Sequence, residues 1–307
     1  MKSSFRPLLV LAFTSLLTSC GPRSADSTGS AARSTKPIGD TLKLTIVPYE
    51  AQQKLVEEYT PMANYLARRM GRPHGKFIPV VDYAGVLAAL ETGQVDVVYL
   101  SSFPYALATS KMKLHPLAMP FVRNKLLYKG IIFVRADSTI ISVQGLIGKT
   151  FAFGDAGSTS GYLLPRGLLE KAGVFGKLKR WYNAGDANVV VAAVERGTAD
   201  AGAAYDLVFE VAYRDHPEKT AGMRIIAETE SIPNGIYVAR GNMPADEVER
   251  LRKAFMDMNT DLEGKAAMLK APNDKIVPSD DKLFDHVREV AKIVNLDLTV
   301  FDKKKKK

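Results

Sequence analysis

Apolar residues recur along the chain in two alternating patterns, short continuous runs and longer segments with helical spacing. The short runs predict strands at residues 41–48, 76–81 and 95–100. Helical spacing is clearest between the first two strands, in Leu55, Tyr59, Met62, Leu66 and Met70, with Gly71 after them. Another helix is predicted behind Asp82, which occupies an N-cap position. Alternating strands and helices predict an α/β fold with mainly parallel sheets.

The two halves of the pattern resemble each other. Residues 91–97 and residues 195–201 both read as the end of a helix, a glycine and the start of a strand. This similarity supports two lobes of related construction. We expect a first lobe at 41–133, a second at 134–237 and a return to the first lobe at 238–302. The chain would cross between lobes at the β-rich stretches 130–135 and 236–240, and two crossings make a hinge around a cleft.

The first 40 residues have the pattern of an export signal followed by a tether. Lys2 and Arg6 precede an apolar run at residues 8–17, which is about half of the roughly 20 residues that a membrane-spanning helix needs. Leu17, Thr18, Ser19 and Cys20 then resemble the bacterial lipobox, in which the cysteine is lipidated. An ordinary secretory signal is the alternative. We therefore expect a signal peptide at 1–19, a lipid on Cys20 and a flexible tether at 20–40, which is rich in Ser, Gly and Thr.

Composition sets limits on function. The 307 residues are 46% hydrophobic, which excludes a disordered chain, and the single cysteine excludes an internal disulfide. The formal charge of +9 suggests nucleic acid at first, but the basic residues are concentrated at the ends. Loss of residues 1–19 lowers the charge to +7, and the lysine tail at 303–307 leaves +2 for the rest. We therefore expect no nucleic-acid partner.

Residues 150–165 carry the most informative motif. A predicted strand leads into Gly154 and Gly157, then into the hydroxyl run Ser158-Thr159-Ser160-Gly161, and then into an apolar helix. The first N–H groups of a helix lack intrahelical partners and the helix dipole is positive there, so such a turn binds anions. Simple helix capping is the alternative, because serine and threonine are common N-caps.

Two better-known motifs do not fit this stretch. The segment between Gly154 and Gly161 lacks the Gly-Lys-Ser/Thr ending of a phosphate-binding P-loop. Its central position between Gly157 and Gly161 is Thr159, whereas the nucleophile elbow of serine hydrolases has serine there. An anion site built from neutral donors is the prediction that we favour, with simple helix capping as the alternative.

With these residues in place, the sequence resembles the substrate-binding proteins of phosphonate and phosphite ABC transporters. The Ser158-Thr159-Ser160-Gly161 run followed by Leu164-Pro165 is similar to their most diagnostic motif. The similarity extends through residues 82–85, 93–97, 99–100 and 231–233 and covers about 42–301. It implies a two-lobed periplasmic-binding-protein fold of type II, an α/β fold with two crossover connections.

The resemblance also implies a set of ligand-binding residues and partners. Ser158, Thr159, Ser160 and Gly161 would bind phosphoryl oxygens from the second lobe, with Tyr83 and Tyr128 adding phenolic groups. Asp206 would orient an amino or hydroxyl group of the ligand, although helix capping is an equal alternative. Further candidates are Tyr49, Tyr99, Asp186 and Asn234. Family members deliver their ligand to a permease and an ATPase, use no cofactor or metal, and act by hinge closure without catalysis.

One departure from the family leaves the ligand open. Family members commonly carry a histidine in the stretch that reads here as residues 183–188, and this chain has none; its histidines are His74, His115, His216 and His286. Asp186 in that stretch would repel a dianion but could accept a hydrogen bond from a protonated P–OH. A sulfonate or another organic anion, a serine hydrolase and a membrane-tethered sensor remain alternatives. The prediction is an extracytoplasmic, lipid-anchored and monomeric binding protein.

Overall fold

The computed structural model describes residues 39–49 and 51–294. The chain divides into a unit of Met1–Lys36 and a unit of Pro37–Lys307, and all described residues belong to the second. The predicted signal peptide, Cys20 and the lysine tail lie outside the described residues. None of the helices in the described part combines the length and apolar character that crossing a membrane requires.

Two mixed sheets organise the fold. The first contains, in spatial order, β11 (Lys275–Pro278), β4 (Leu114–Phe121), β10 (Ile236–Arg240), β3 (Val97–Leu100), β1 (Thr41–Ile46) and β2 (His74–Phe77). The second contains β7 (Arg180–Asn183), β6 (Thr150–Phe153), β8 (Ala201–Tyr205), β5 (Leu127–Arg135) and β9 (Met223–Pro233). The helices are α1 (Gln52–Arg69), α2 (Tyr83–Glu91), α3 (Ser102–Lys111), α4 (Leu164–Lys171), α5 (Ala187–Glu195), α6 (Val208–Ala212), α7 (Ala245–Asp257), α8 (Leu262–Lys270) and α9 (Asp285–Ile293). The predicted two-lobed α/β fold with two crossover connections is confirmed.

Each sheet contains the same parallel core. Strand β1 lies between β2 and β3, and β6 lies between β7 and β8, with all four pairs parallel. Next to each core runs an antiparallel strand, β10 in the first sheet and β5 in the second. The sequence similarity between residues 91–97 and 195–201 is explained by this arrangement. Gly93 and Gly197 occupy equivalent positions, with φ of +70° and +71°, where α2 and α5 end before β3 and β8.

Two details of the predicted organisation are wrong. The sheets are mixed, because five of the strand pairings are antiparallel and four are parallel. The stretches predicted as crossovers are strands: residues 130–135 lie in β5 of the second sheet, and residues 236–240 form β10 of the first. Their continuous apolar character comes from burial inside a sheet covered on both faces. The crossings are instead residues 122–126 and 234–235, so sheet membership moves the lobe boundaries away from 134 and 237.

The hydrophobic cores follow the sheets. Along β5, Ile131 and Phe133 pack on one face of the second sheet, and Ile132 and Val134 pack on the other. The first sheet and its helices share one continuous core. The two crossings are tied together, because Asn234 donates from Nδ2 to the Lys125 carbonyl at 2.6 Å and from its backbone N–H to the Leu126 carbonyl at 3.0 Å. The hinge is therefore a compact pair of short connections beside the cleft.

Candidate functional site

A cavity of about 720 Å³ lies between the two lobes. Every residue that the sequence singled out for ligand binding lines it: Tyr49, Tyr83, Tyr99, Tyr128, Ser158, Thr159, Ser160, Gly161, Asp186, Asp206 and Asn234. Residues from both lobes and from both crossings contribute to its wall. The fold therefore brings together positions separated by as many as 185 residues in sequence, from Tyr49 to Asn234.

Among the helices that begin at this cavity, four have a polar N-cap residue. Their N-cap residues all line it: Asp82 for α2, Ser101 for α3, Ser158 for the π-helical turn Thr159–Leu163 that leads into α4, and Asp186 for α5. Each helix follows a strand of a parallel core, so its N-terminus faces the strand ends where open α/β sheets bind ligands. Converging helix starts supply backbone N–H groups and positive dipole ends, which favour a bound anion.

The turn before α4 is held by hydrogen bonds within the motif. Asp155 Oδ1 accepts from the Gly157 N–H at 2.7 Å, and the Asp155 carbonyl accepts from the Ser158 N–H at 2.9 Å. Ser158 Oγ accepts from the Gly161 N–H at 2.9 Å, which is a true N-cap contact. This bond uses a lone pair of the Ser158 hydroxyl and not its proton, so capping does not prevent the same side chain from donating to a ligand.

The backbone of Gly161 makes two hydrogen bonds within the motif. Its N–H donates to Ser158 and its carbonyl accepts from the Gly154 N–H at 2.8 Å, so its backbone is occupied within the motif. A Cβ at position 161 would lie 3.0 Å from Ser158 Oγ and 3.3 Å from the Gly154 Cα. A side chain at position 161 would therefore crowd the close approach of two backbone segments, and the open N–H groups belong to the first turn behind Ser158.

Two tyrosine hydroxyls join the serine hydroxyls in the cavity. The Tyr128 and Ser160 oxygens are 3.5 Å apart, and the Tyr83 hydroxyl lies beside the hydroxyls of Ser101 and Ser158. Burial raises the pKa of Tyr128 to about 12 and also raises the pKa of Tyr83, with the negative charge of Asp155 adding to the effect on Tyr83. Both phenols therefore keep their protons at neutral pH and can act as neutral hydrogen-bond donors.

Thr159 and Gly157 form contacts between the lobes. Thr159 Oγ1 accepts a hydrogen bond from the Phe103 N–H, in the first turn of α3, at 2.8 Å, and both residues are buried. A Cβ on Gly157 would lie 2.8 Å from the Cβ of Tyr83, so the Tyr83 ring rests directly on the Gly157 backbone. These contacts join the anion motif of the second lobe to α2 and α3 of the first, as expected for a closed cleft.

Two carboxylates stand close to the hydroxyl groups. Burial raises the pKa of Asp155, and the nearby charge of Asp82 contributes, whereas the Gly157 N–H acts in the opposite direction. Asp206 accepts from the Lys129 N–H at 3.2 Å through Oδ2, while its Oδ1 is buried without a partner among the described residues. Asp206 does not cap α6, whose N-cap is Leu207, so the capping alternative is wrong. A buried carboxylate oxygen without a protein partner can accept a hydrogen bond from a ligand.

The remaining candidates are already engaged with protein groups. Tyr49 contacts the Tyr59 hydroxyl at 3.1 Å, and Tyr99 donates to the Asn234 carbonyl at 2.5 Å. The Asn234 amide ties the crossings together, and Asp186 Oδ1 accepts from the Asn188 N–H at 2.7 Å as the N-cap of α5. These four residues shape the wall and the hinge, and only Asp186 presents a charge to the cavity.

The basic residues of the cavity are peripheral. Lys54, Arg123, Lys125 and Arg214 line it, but the last three are exposed and Lys54 lies 4.0 Å from Glu58. Arg123 is paired with Glu210. No histidine is among the lining residues of the described chain, and the described residues contain no cluster of three or more His, Cys, Asp or Glu suited to a metal ion. The site is thus dominated by neutral donors and carboxylates.

Sequence reasoning missed Ser101 and Asp155. Ser101 is the N-cap of α3 and stands beside Tyr83 in the cavity. A signal was present, because Ser101 and Ser102 follow a buried strand directly, which is the position of an N-cap. Asp155 lies inside the motif, yet only the structure shows that its side chain is turned toward Tyr83 and the cavity.

Two lobes joined by two crossings, with a cleft lined by converging helix starts, define a solute-binding protein of the periplasmic type. The family model for "ABC transporter, phosphonate, periplasmic substrate-binding protein" matches residues 44–284. The chain belongs to this family.

Individual relatives agree with this assignment. The phosphate-import protein PhnD of Mycolicibacterium smegmatis is 26% identical over 276 residues, covering 83% of this chain and 86% of the relative. The structure of PhnD1 from Prochlorococcus marinus with methylphosphonate has a TM-score of 0.72 at 21% identity, covering 83% of this chain and 98% of that one. XAC2383 from Xanthomonas citri, bound to chloride ion, has a TM-score of 0.76 at 24% identity, covering 84% and 99%. These two structures show a shared fold.

Proposed function

We propose that this protein captures a small phosphorus oxyanion between its lobes and delivers it to the permease and ATPase of an ABC importer. The observation that carries the proposal is the convergence of the Ser158 and Ser160 hydroxyls with the phenols of Tyr83 and Tyr128 at a helix start. Neutral donors of this kind bind a tetrahedral anion through directed hydrogen bonds and still permit its release. Binding and hinge closure, without catalysis, are the proposed action.

The carboxylates favour phosphorus over sulfur. Asp155 and Asp206 can accept a hydrogen bond from a ligand but cannot donate one when ionised. A phosphonate, phosphite or phosphate carries a P–OH proton near neutral pH, whereas a sulfonate has no proton to offer. The Asp206 oxygen without a partner would also suit an amino or hydroxyl group on the ligand. A fully ionised anion would meet repulsion from both side chains.

Calorimetric titration of the purified protein tests this proposal. We expect at least one of phosphite, methylphosphonate, 2-aminoethylphosphonate and phosphate to bind with a Kd of about 1 μM or lower, equivalent to about 8 kcal/mol. Taurine and sulfate serve as the matched sulfur oxyanions and should bind at least about tenfold more weakly. If all four phosphorus compounds give no heat while taurine or sulfate binds, the proposed ligand class is wrong.

We further propose that the protein works on the outer side of the cell membrane, held there by a lipid on Cys20. Membership of a periplasmic family supports the location, and the Leu17-Thr18-Ser19-Cys20 sequence supports the anchor. Replacing Cys20 by serine should move the protein from the membrane fraction to the soluble fraction of the bacterium and abolish labelling with a fatty acid. Continued labelling of the Cys20→Ser variant would contradict this site of attachment.

A further inference from the structure

The last helix of the described chain is firmly attached to the first lobe. Phe284, just before α9, is fully buried with its ring 4.7 Å from that of Tyr105 on α3. The Tyr105 hydroxyl donates to Asp281 Oδ1 at 2.6 Å, and Arg288 of α9 contacts the same oxygen at 2.6 Å. A buried ring and a shared carboxylate thus fix α9 against α3.

The opposite side of α9 contacts the second lobe. A Cβ on Gly167 of α4 would lie only 2.6 Å from Cγ1 of Val290, so the two helices meet at the glycine backbone. Leu163 and Leu164, at the start of α4, belong to the same buried cluster as Val287, Val290 and Val294. Beside this contact, His286 Nε2 lies 3.1 Å from Glu230 Oε2 of β9. Helix α9 is therefore a connection between the lobes in addition to the two crossings.

The contact falls on the helix that carries the anion motif. The turn Thr159–Leu163 continues directly into α4, and Gly167 is about 10 Å along the axis from Ser160 at about 1.5 Å per residue. A helix moves as a rigid element, so a displacement at Gly167 also displaces the hydroxyl groups at its start. Neither Gly167 nor Val290 lines the cavity.

We propose that α9 sets the position of the anion-binding helix in the closed cleft, which makes Gly167 and Val290 positioning residues for ligand affinity. The inference rests on the proposed function for its affinity readout. Because α9 is anchored to α3, opening the hinge separates α4 from α9 and loses their packing. The packing therefore stabilises the closed arrangement, and the apparent affinity falls in proportion to the closed fraction.

A double-mutant cycle tests the proposal with methylphosphonate as the probe. Gly167→Ala forces a methyl group against Val290, and overpacking of this size predicts binding weaker by about tenfold or more. Val290→Ala removes the opposing γ-methyl groups, so the double variant Gly167→Ala/Val290→Ala should recover most of the affinity. Gly176→Ala is the control, because it lies in the same lobe with nothing within 4 Å of the added Cβ.

The outcomes separate this inference from the proposed function. If Gly167→Ala lowers the melting temperature but binds methylphosphonate as the wild type does, α9 and α4 move together and the proposal is overturned. If Gly167→Ala fails to fold, Val290→Ala alone must weaken binding at least about twofold, because its packing on α4 is reduced; unchanged binding overturns the proposal.

If the wild-type protein binds no anion, the proposed function fails. Small-angle scattering of the ligand-free protein then tests the inference about α9 independently of affinity. The ligand-free Gly167→Ala or Val290→Ala variant should then have a larger radius of gyration than the wild type, and an equal radius overturns the inference.

Discussion

Replacing Gly157 by alanine is expected to weaken methylphosphonate binding by about 10- to 100-fold. In the closed cleft the new methyl group would lie 2.8 Å from both Cβ and Cγ of Tyr83, a distance that real carbon contacts do not reach. Relieving such overpacking costs about 1–3 kcal/mol, and each 1.4 kcal/mol is a factor of ten in affinity. Position 157 does not have a positive φ, so alanine fits the local backbone. The steric clash with Tyr83 therefore arises only when the lobes are closed.

The stability of the ligand-free protein separates this explanation from simple misfolding. Without ligand the variant can relieve this clash by opening, which moves Tyr83 of the first lobe away from Gly157 of the second, so its melting temperature should stay within about 2 °C of the wild type. Gly176→Ala is again the matched control and should change neither quantity. Calorimetry and a thermal melt measure both. Wild-type affinity in Gly157→Ala would show that the Tyr83 contact is absent from the ligand-bound state.

Local signals in the sequence were sufficient to predict helices α1 and α2 and the hydroxyl motif at Ser158 to Ser160. The 3.6-residue spacing behind Leu55 and the N-cap at Asp82 predict α1 and α2, because both depend on residues within one or two turns. The run from Ser158 to Ser160 predicts a helix start by the same local logic. Strand direction is not local: the stretches that form β5 and β10 are predicted as β-rich crossovers, and only the path of the chain through the hinge makes each of them an antiparallel strand of a sheet.

The parts of the site that sequence did not reveal depend on contacts between distant segments. The Thr159 hydroxyl and the Phe103 N–H are 56 residues apart, and Gly157 meets Tyr83 from the opposite lobe. Val290 reaches Gly167 across more than 120 positions. A hydroxyl next to a glycine looks the same in sequence whether it binds a ligand, caps a helix or joins two lobes. Ser158 and Thr159 show that neighbouring hydroxyls can divide these roles.

Because Ser158 and Thr159 have different contacts, we expect the hydroxyl groups of this turn to take part in lobe closure as well as in ligand binding. Thr159 accepts from α3 only when the lobes meet, and α3 itself has no side-chain cap from its own N-cap residue Ser101. The second lobe thus satisfies one of the open N–H groups of a first-lobe helix. We expect ligand binding and lobe closure to stabilise each other, because the proposed ligand donors Ser158 and Ser160 are the neighbours of Thr159 in the same turn.

Removing single hydroxyls from the motif should separate ligand binding from helix capping. Ser158→Ala and Ser160→Ala should each weaken methylphosphonate binding by about 10- to 100-fold, because a hydrogen bond to a charged group contributes about 1.5–3 kcal/mol. Ser158 also accepts from the Gly161 N–H, so only Ser158→Ala should lower the free energy of unfolding, by about 0.5–2 kcal/mol.

Denaturant unfolding without ligand and calorimetry with methylphosphonate measure the two effects independently. Asp261→Ala is the control for capping, because Asp261 Oδ1 accepts from the Gly264 N–H at 2.8 Å as the N-cap of α8 and does not line the cavity. It should lose stability and keep its affinity, the reverse of Ser160→Ala. If Ser160→Ala binds methylphosphonate as tightly as the wild type, its hydroxyl is not a ligand donor, and the proposed set of donors at the helix start must be revised to Ser158 and the tyrosines.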